Sequence, residues 1–409
     1  MARRLLVFTA CAVGLLSTVG AALPYPILSP LFADGQINGL NHFAGLPPKF
    51  LLGLALAINP LGMLIGSALL GPISDRYGRR LTLLSTILFS AIGHLATVLA
   101  LFSEHYLLFL LARFVTGLAE GNSSVMSALL ADELEGEQRV QAFAWLNGSS
   151  YSGWLLGPLI AGATVQFGTS VPFMIAAGIL FSTFLLGLFT FPSQASSHSN
   201  GNFWHNLSQR HSFTLLRYRP LRELFIIHLA YTCGVTAFYE FFPLWLVEFL
   251  KMKALGISLV SGTLCAVMTC TSAIVGHGLV VTAGPKHLRR YAFMVAACIT
   301  LTALLGPLGG CAALIAFGVP HALYNTILPV YCSERFANYG HGAVMGLIST
   351  TFCIANVVVA LIGSGVTLID TRLILLLGAC SSAWAGWRIA LWATQSADGK
   401  SVFEKQVNA

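Results

Sequence analysis

Charge is what this chain has least of. Asp, Glu, Lys and Arg together make up 9% of 409 residues, against 56% apolar residues. A water-soluble domain of that size needs a polar coat that such a composition cannot supply, so the solvent of this chain is lipid. Apolar segments of about ten residues with alternating polarity are absent, which excludes a membrane β-barrel. There is no C-x-x-C, and the nine cysteines are odd in number and sit in or beside apolar segments, a pattern of buried thiols rather than disulfides or metal ligands. The chain lacks a Walker A run, which speaks against direct ATP drive, and it lacks G-x-S-x-G, H-E-x-x-H and any His/Cys cluster at metal-site spacing. No enzyme chemistry, cofactor or metal is expected. The net charge of +7 is spread over short loops instead of one face, so it gives no reason to expect a nucleic-acid partner.

What is present is a series of hydrophobic runs, each of about 20 residues, the length that crosses a bilayer as a helix. They fall near 5–32, 49–70, 81–102, 107–131, 141–163, 170–192, 222–250, 256–281, 290–307, 309–332, 342–366 and 372–394, which makes twelve spans. The first could be read as a secretory signal cleaved near Ala21-Ala22, but its apolar run is long and eleven spans follow, so a retained helix is expected. With both termini in the cytoplasm, 17 Lys and Arg lie in inner segments and 4 (Lys49, Lys251, Lys253, Arg372) in outer ones, leaving Arg113 inside a span. That asymmetry gives the orientation in an inner membrane. The one long interior loop, 193–221, divides the chain into two six-helix bundles, 1–192 and 222–395, followed by a cytoplasmic tail, 396–409. Residues 144–164 and 346–367 echo one another within the fifth span of each half, as in a duplicated protein. The expected fold class is therefore an all-α polytopic protein of twelve transmembrane helices in two pseudo-symmetric bundles.

Between the second and third spans lies Gly71-Pro-Ile-Ser-Asp75-Arg76-Tyr-Gly78-Arg79-Arg80, read here as a tight cytoplasmic loop. The corresponding place in the second half, 284–290, keeps the basic residues and lacks the Asp. In the fourth span Arg113, Gly117, Glu120, Gly121 and Ser124 share one helical face by their spacing of three and four. An acid at that depth is costly and usually faces a water-filled cavity or a partner, so Glu120 and Arg113 are candidates for proton coupling; a fixed structural Glu–Arg pair is the plainer alternative. The fifth span carries Gly153, Gly157, Pro158 and Gly162, a helix-packing pattern, with Asn147, Ser150, Tyr151 and Trp154 on another face.

These runs resemble the major facilitator superfamily. The 71–80 stretch resembles its loop between helices 2 and 3, and Gly153–Gly162 resembles its antiporter motif with Ala161 in place of one glycine. Arg113-Phe-Val-Thr-Gly, Ala131-Asp132, Arg139-Val-Gln-Ala-Phe-Ala-Trp and Val171-Pro-Phe-Met-Ile-Ala-Ala are similar to the tetracycline/proton antiporter branch. The resemblance implies alternating access around a central cavity. It also implies a gate of Gly71, Asp75, Arg76, Gly78, Arg79, Arg80 and Asp132, in which Asp75 meets the start of helix 11 near Gly342 and Arg79 pairs with Asp132. One departure stands out: the branch carries an acid in helix 1, nine residues before a Pro-x-x-Pro-like turn. Here the turn is Pro26-Ile-Leu-Ser-Pro30, the position holds Ser17, and no acid precedes Asp34.

In the second half His228, Tyr231, Val235 and Tyr239 align on one face of the seventh span, with Glu240 adjacent as a further proton-coupling candidate. The tenth span adds His321, Tyr324 and Asn325, and the eleventh Asn356, so the candidate substrate cavity comprises Asn147, Tyr151, His228, Tyr231, Tyr239, His321, Tyr324, Asn325 and Asn356. His94 and His277 stand alone and receive no role. The sequence thus points to a monomeric secondary transporter in the lipid bilayer, exporting a drug or a metabolite such as a siderophore against proton entry. An importer or facilitator of the same fold, and a non-transporting receptor or scaffold, are the competing readings.

Overall fold

Among the described residues the expected spans resolve into fifteen α-helices, because three of them break. The computed structural model describes residues 2–33, 36–192, 216–276, 284–336 and 341–407. In chain order the helices are α1 (Ala2–Ala22), α2 (Pro24–Ala33), α3 (Pro48–Tyr77), α4 (Arg79–Phe102), α5 (Tyr106–Glu120), α6 (Ser123–Glu133), α7 (Gly136–Thr164) and α8 (Val171–Thr190). They continue with α9 (Arg219–Leu250), α10 (Ala254–Gly276), α11 (Pro285–Leu304), α12 (Pro307–Ala316), α13 (Gly318–Arg335), α14 (His341–Val366) and α15 (Thr371–Val407). Leu23 divides the first span, Gly121-Asn122 the fourth and Phe317 the tenth. The last helix runs on to Val407, through most of the expected tail. The linker segment 193–215 and His277 lie outside the described residues.

The outside of this structure is apolar. Phe189, Leu308 and Ile369 are at least 80% exposed, and Phe8, Phe89, Phe102 and Leu377 are also open. In water such a surface would be a continuous liability; in a bilayer it is the expected coat. Polar residues run the other way, and His94, Arg113, Glu120 and Glu240 are among the buried side chains.

Two compact units form, with one border inside the 193–221 segment and the others further along the chain. One comprises residues 1–211, 243–262 and 356–368, and the other 212–242, 263–355 and 369–409. The chain passes between them inside α9 at Pro243, where the missing N–H and the ring already weaken the helix. In the first unit α1 packs on α7 and α8, α3 on α5, and α4 on α5 and α8. In the second, α11 packs on α15, α12 and α13.

Helix ends are tied to one another. Lys49 Nζ lies 2.6 Å from Glu248 Oε1 and donates to the Thr367 carbonyl at 2.8 Å, three residues that meet inside the first unit. Arg80 donates to the Leu188 carbonyl at 2.7 Å.

Candidate functional site

The fourth span is not one helix, and the reason lies in its packing. Gly62 and Gly66 of α3 face α5, and Gly117 and Gly121 face back, so the backbones touch where any Cβ would collide. A Cβ on Gly121 would sit 2.6 Å from the Ser67 nitrogen. Directly after this contact the chain leaves the helix, and Asn122 holds the break by donating from Nδ2 to Thr86 Oγ1 at 3.1 Å. The expectation that Ser124 shares the face of Arg113 and Glu120 is therefore corrected. Ser124 belongs to α6 and is exposed.

The close α3–α5 contact carries a polar cluster. Asn59 donates from Nδ2 to Glu120 Oε2 at 3.0 Å and to the Arg113 carbonyl at 3.3 Å. Arg113 donates from Nη2 to the Gly20 carbonyl of α1 at 3.2 Å, while its Nε and Nη1 have no hydrogen-bond partner among the described residues. His94 of α4 brings Nε2 to 3.4 Å from Glu120 Oε1, and neither side chain reaches solvent. The sequence reading missed His94. A signal was available: Thr86, Ser90 and His94 recur every four residues with Gly93 and Thr97 beside them, a small and polar stripe in an apolar span, and all are buried.

α7 holds α1 in place. A Cβ on Gly153 would stand 2.6 Å from Thr18 Cβ, and one on Gly157 would stand 2.7 Å from Ala22 Cβ. Gly162 faces Ser258 instead, so the same row of glycines serves both neighbours. Asn147 and Tyr151, assigned to the cavity from sequence, have side chains outside the described residues.

The 71–80 stretch is mostly helix and not a loop, a second correction. α3 continues to Tyr77 and only Gly78, at φ 94°, turns the chain into α4. Across that turn Asp75 and Arg79 come to 3.0 Å, and Arg79 also donates from Nη1 to Ser74 Oγ at 2.9 Å and from Nε to Asp132 Oδ2 at 2.6 Å. Arg76 lies over the Tyr77 ring at 5.5 Å, and Gly71 faces open space. The side chains at the start of α14, including Gly342, lie outside the described residues.

The second unit holds an aromatic and imidazole stack. Tyr231 and Tyr324 stack at 3.6 Å between centroids, and Tyr324 lies parallel to His228 at 6.4 Å. With Asn325 donating from Nδ2 at 3.0 Å, His321 accepts at Nε2 and donates from Nδ1 to the Tyr231 hydroxyl at 3.0 Å. Tyr239 donates to Met268 Sδ at 2.8 Å. Glu240 is fully buried, and neither of its oxygens has a hydrogen-bond partner among the described residues. Asn356 is buried and belongs to the first unit.

Long hydrophobic helices with ionisable groups sealed in their middle, eight of them among the described residues long and apolar enough to cross a membrane, define a polytopic membrane protein. The chain belongs to the Major Facilitator Superfamily, whose family model matches residues 5–360. It is 31% identical over 193 residues to the class B tetracycline resistance protein of Escherichia coli, covering 47% of this chain and 45% of that one. It is 35% identical over 173 residues to the multidrug resistance protein MdtG of Citrobacter koseri, covering 42% of this chain and 41% of that one. The chain thus spans under half the length of these relatives. Among solved structures, the D-xylose–proton symporter matches with a TM-score of 0.72 at 14% identity, covering 94% of this chain and 96% of that one. The human organic anion transporter MFSD10 matches at 0.68 and 16%, covering 95% and 99%. At those identities the likeness is one of fold.

Proposed function

We propose that this protein exports a small organic molecule, a drug or an endogenous metabolite such as a siderophore, in exchange for protons by alternating access in the inner membrane, with both termini in the cytoplasm. The observation that carries the reading is the Glu120 carboxylate, sealed in the first unit beside Arg113 and Asn59. A carboxylate at such depth costs several kcal/mol unless it is neutralised or used. The relatives' names, tetracycline resistance and multidrug resistance, support export as the direction. Glu240 is a second proton carrier. The stack of His228, Tyr231, Tyr239, His321, Tyr324 and Asn325, together with Asn147, Tyr151 and Asn356, supplies substrate recognition. The ties of Arg79 to Asp75 and Asp132 stiffen the cytoplasmic gate, and the Lys49–Glu248 pair supports a state closed at the outer end.

Flux in proteoliposomes tests this, with tetracycline as the first probe. An inward proton gradient is expected to drive the probe outward. Probe moving inward with the protons would overturn exchange and favour import, the reading that Ser17 in place of a helix 1 acid supports.

A further inference from the structure

We propose that His94 and Glu120 form one proton-binding site, a single proton being shared between Nε2 and Oε1 inside the first unit. This deepens the proton-coupled reading and rests on it for its purpose.

The geometry leaves no other partner for that oxygen. Asn59 occupies Oε2, and the one hydrogen bond that Arg113 makes through its guanidinium goes to the Gly20 carbonyl. Among the described residues Oε1 receives no hydrogen bond, and both ring nitrogens of His94 also lack one. A neutral imidazole has only one N–H, so either Nε2 faces the Glu120 carboxylate as a second acceptor 3.4 Å away or Nδ1 is left without a proton, and one added proton satisfies both ring nitrogens and Oε1 together. Such a pair titrates as a unit, and the proton belongs to neither residue alone. Without the added proton, the Arg113 guanidinium and Glu120 carboxylate cancel and His94 is neutral. Uptake of one proton from water leaves the cluster with a single positive charge, a state that gains from renewed contact with water and so links proton affinity to conformation.

Each surrounding helix contributes to the enclosure. α1 offers Gly20, where a Cβ would lie 2.7 Å from His94 Nε2 and would also overlap Glu120 Oε1. α8 places Phe173 against the His94 ring at 6.1 Å. The charged or titratable neighbours are Arg113 on α5 and Tyr25 on α2, the latter within electrostatic reach of Arg113. α3 presents Asn59, which is polar and does not titrate.

The test is proton uptake by the purified full-length protein between about pH 5 and 8, the range a histidine-containing site covers, comparing wild type, E120Q, H94Q and the double variant. The expected result is that each single variant loses the same one-proton step and the double variant loses no more than either. Losses that add, or two single variants that titrate like wild type, would overturn the shared site. G20A retains both groups while driving them apart, and its step is expected to move by about one pH unit, a tenfold change in proton affinity. Should H94Q or E120Q fail to fold, this comparison decides, and an unmoved step overturns the proposal. No transported substrate is needed. A shared step with probe and protons moving together would overturn exchange and leave the site standing; proton-driven export without the step would do the reverse.

Discussion

At the scale of the residue, the centre of the first unit is decided by what each polar atom has for a partner. Glu120 and Arg113 compensate one another's charge in a site that water does not reach. Removing one of them leaves the other as an uncompensated buried charge, at a cost of about 3–5 kcal/mol. Arg113→Ala and Glu120→Gln are therefore each expected to lower the melting temperature of the purified protein. A thermal shift series on the two variants checks this, and an unchanged midpoint in both would show that the charges do not compensate one another. Glu120→Gln has a second expected outcome. Proton-driven flux is lost while substrate counterflow, which needs no net proton movement, remains measurable; loss of both would mark Glu120 as structural. His94 shows the limit of reading residues singly. Its polar stripe of Thr86 and Ser90 was legible, but the residue opposite it was not, because the pairing crosses helices 26 positions apart in sequence.

At the scale of the element, glycine spacing sets which helices touch. Gly62, Gly66, Gly117 and Gly121 join α3 to α5, and Gly153 and Gly157 join α7 to α1. Membrane helices gain little from apolar burial against one another, since lipid is equally apolar, and close backbone approach supplies the packing instead. Gly157→Val is expected to force α7 from α1 and to destabilise the protein by about 1–3 kcal/mol, the usual cost of overpacking. The check is a falling thermal midpoint that Gly178→Val on α8, where a Cβ would meet open space, does not reproduce. The glycine pattern of 153–162 was readable from the sequence, but its partner helix was not. The breaks at Gly121-Asn122 and Phe317 were also hidden, because hydropathy runs straight through them while backbone contacts with neighbours decide where the helix ends.

At the scale of the whole molecule, Lys49, Glu248 and Thr367, contributed by both halves of the sequence, are tied together within one compact unit. The pair is partly exposed, so its own contribution is about 1 kcal/mol or less and it can open readily. Its position matters more than its strength. In a background without the native cysteines, which are all free thiols, Lys49→Cys with Glu248→Cys is expected to form a disulfide that stops transport. Addition of reductant is expected to restore it. Undiminished flux in the fully cross-linked protein would show that this end does not open.

By itself, the sequence determined the solvent, the long hydrophobic spans and the membership of a transporter family. Those properties follow from composition, length and local motifs, each written within a stretch of about 20 residues. Tertiary structure alone decided that the 71–80 motif is mainly the end of a helix turning at Gly78. It also decided that α9 changes unit at Pro243, and that Glu120 finds Asn59, Arg113 and His94 from three directions. Those facts depend on which helices pack together and how closely. That is settled by backbone contact through glycines and by the need to satisfy buried polar groups where lipid offers no substitute.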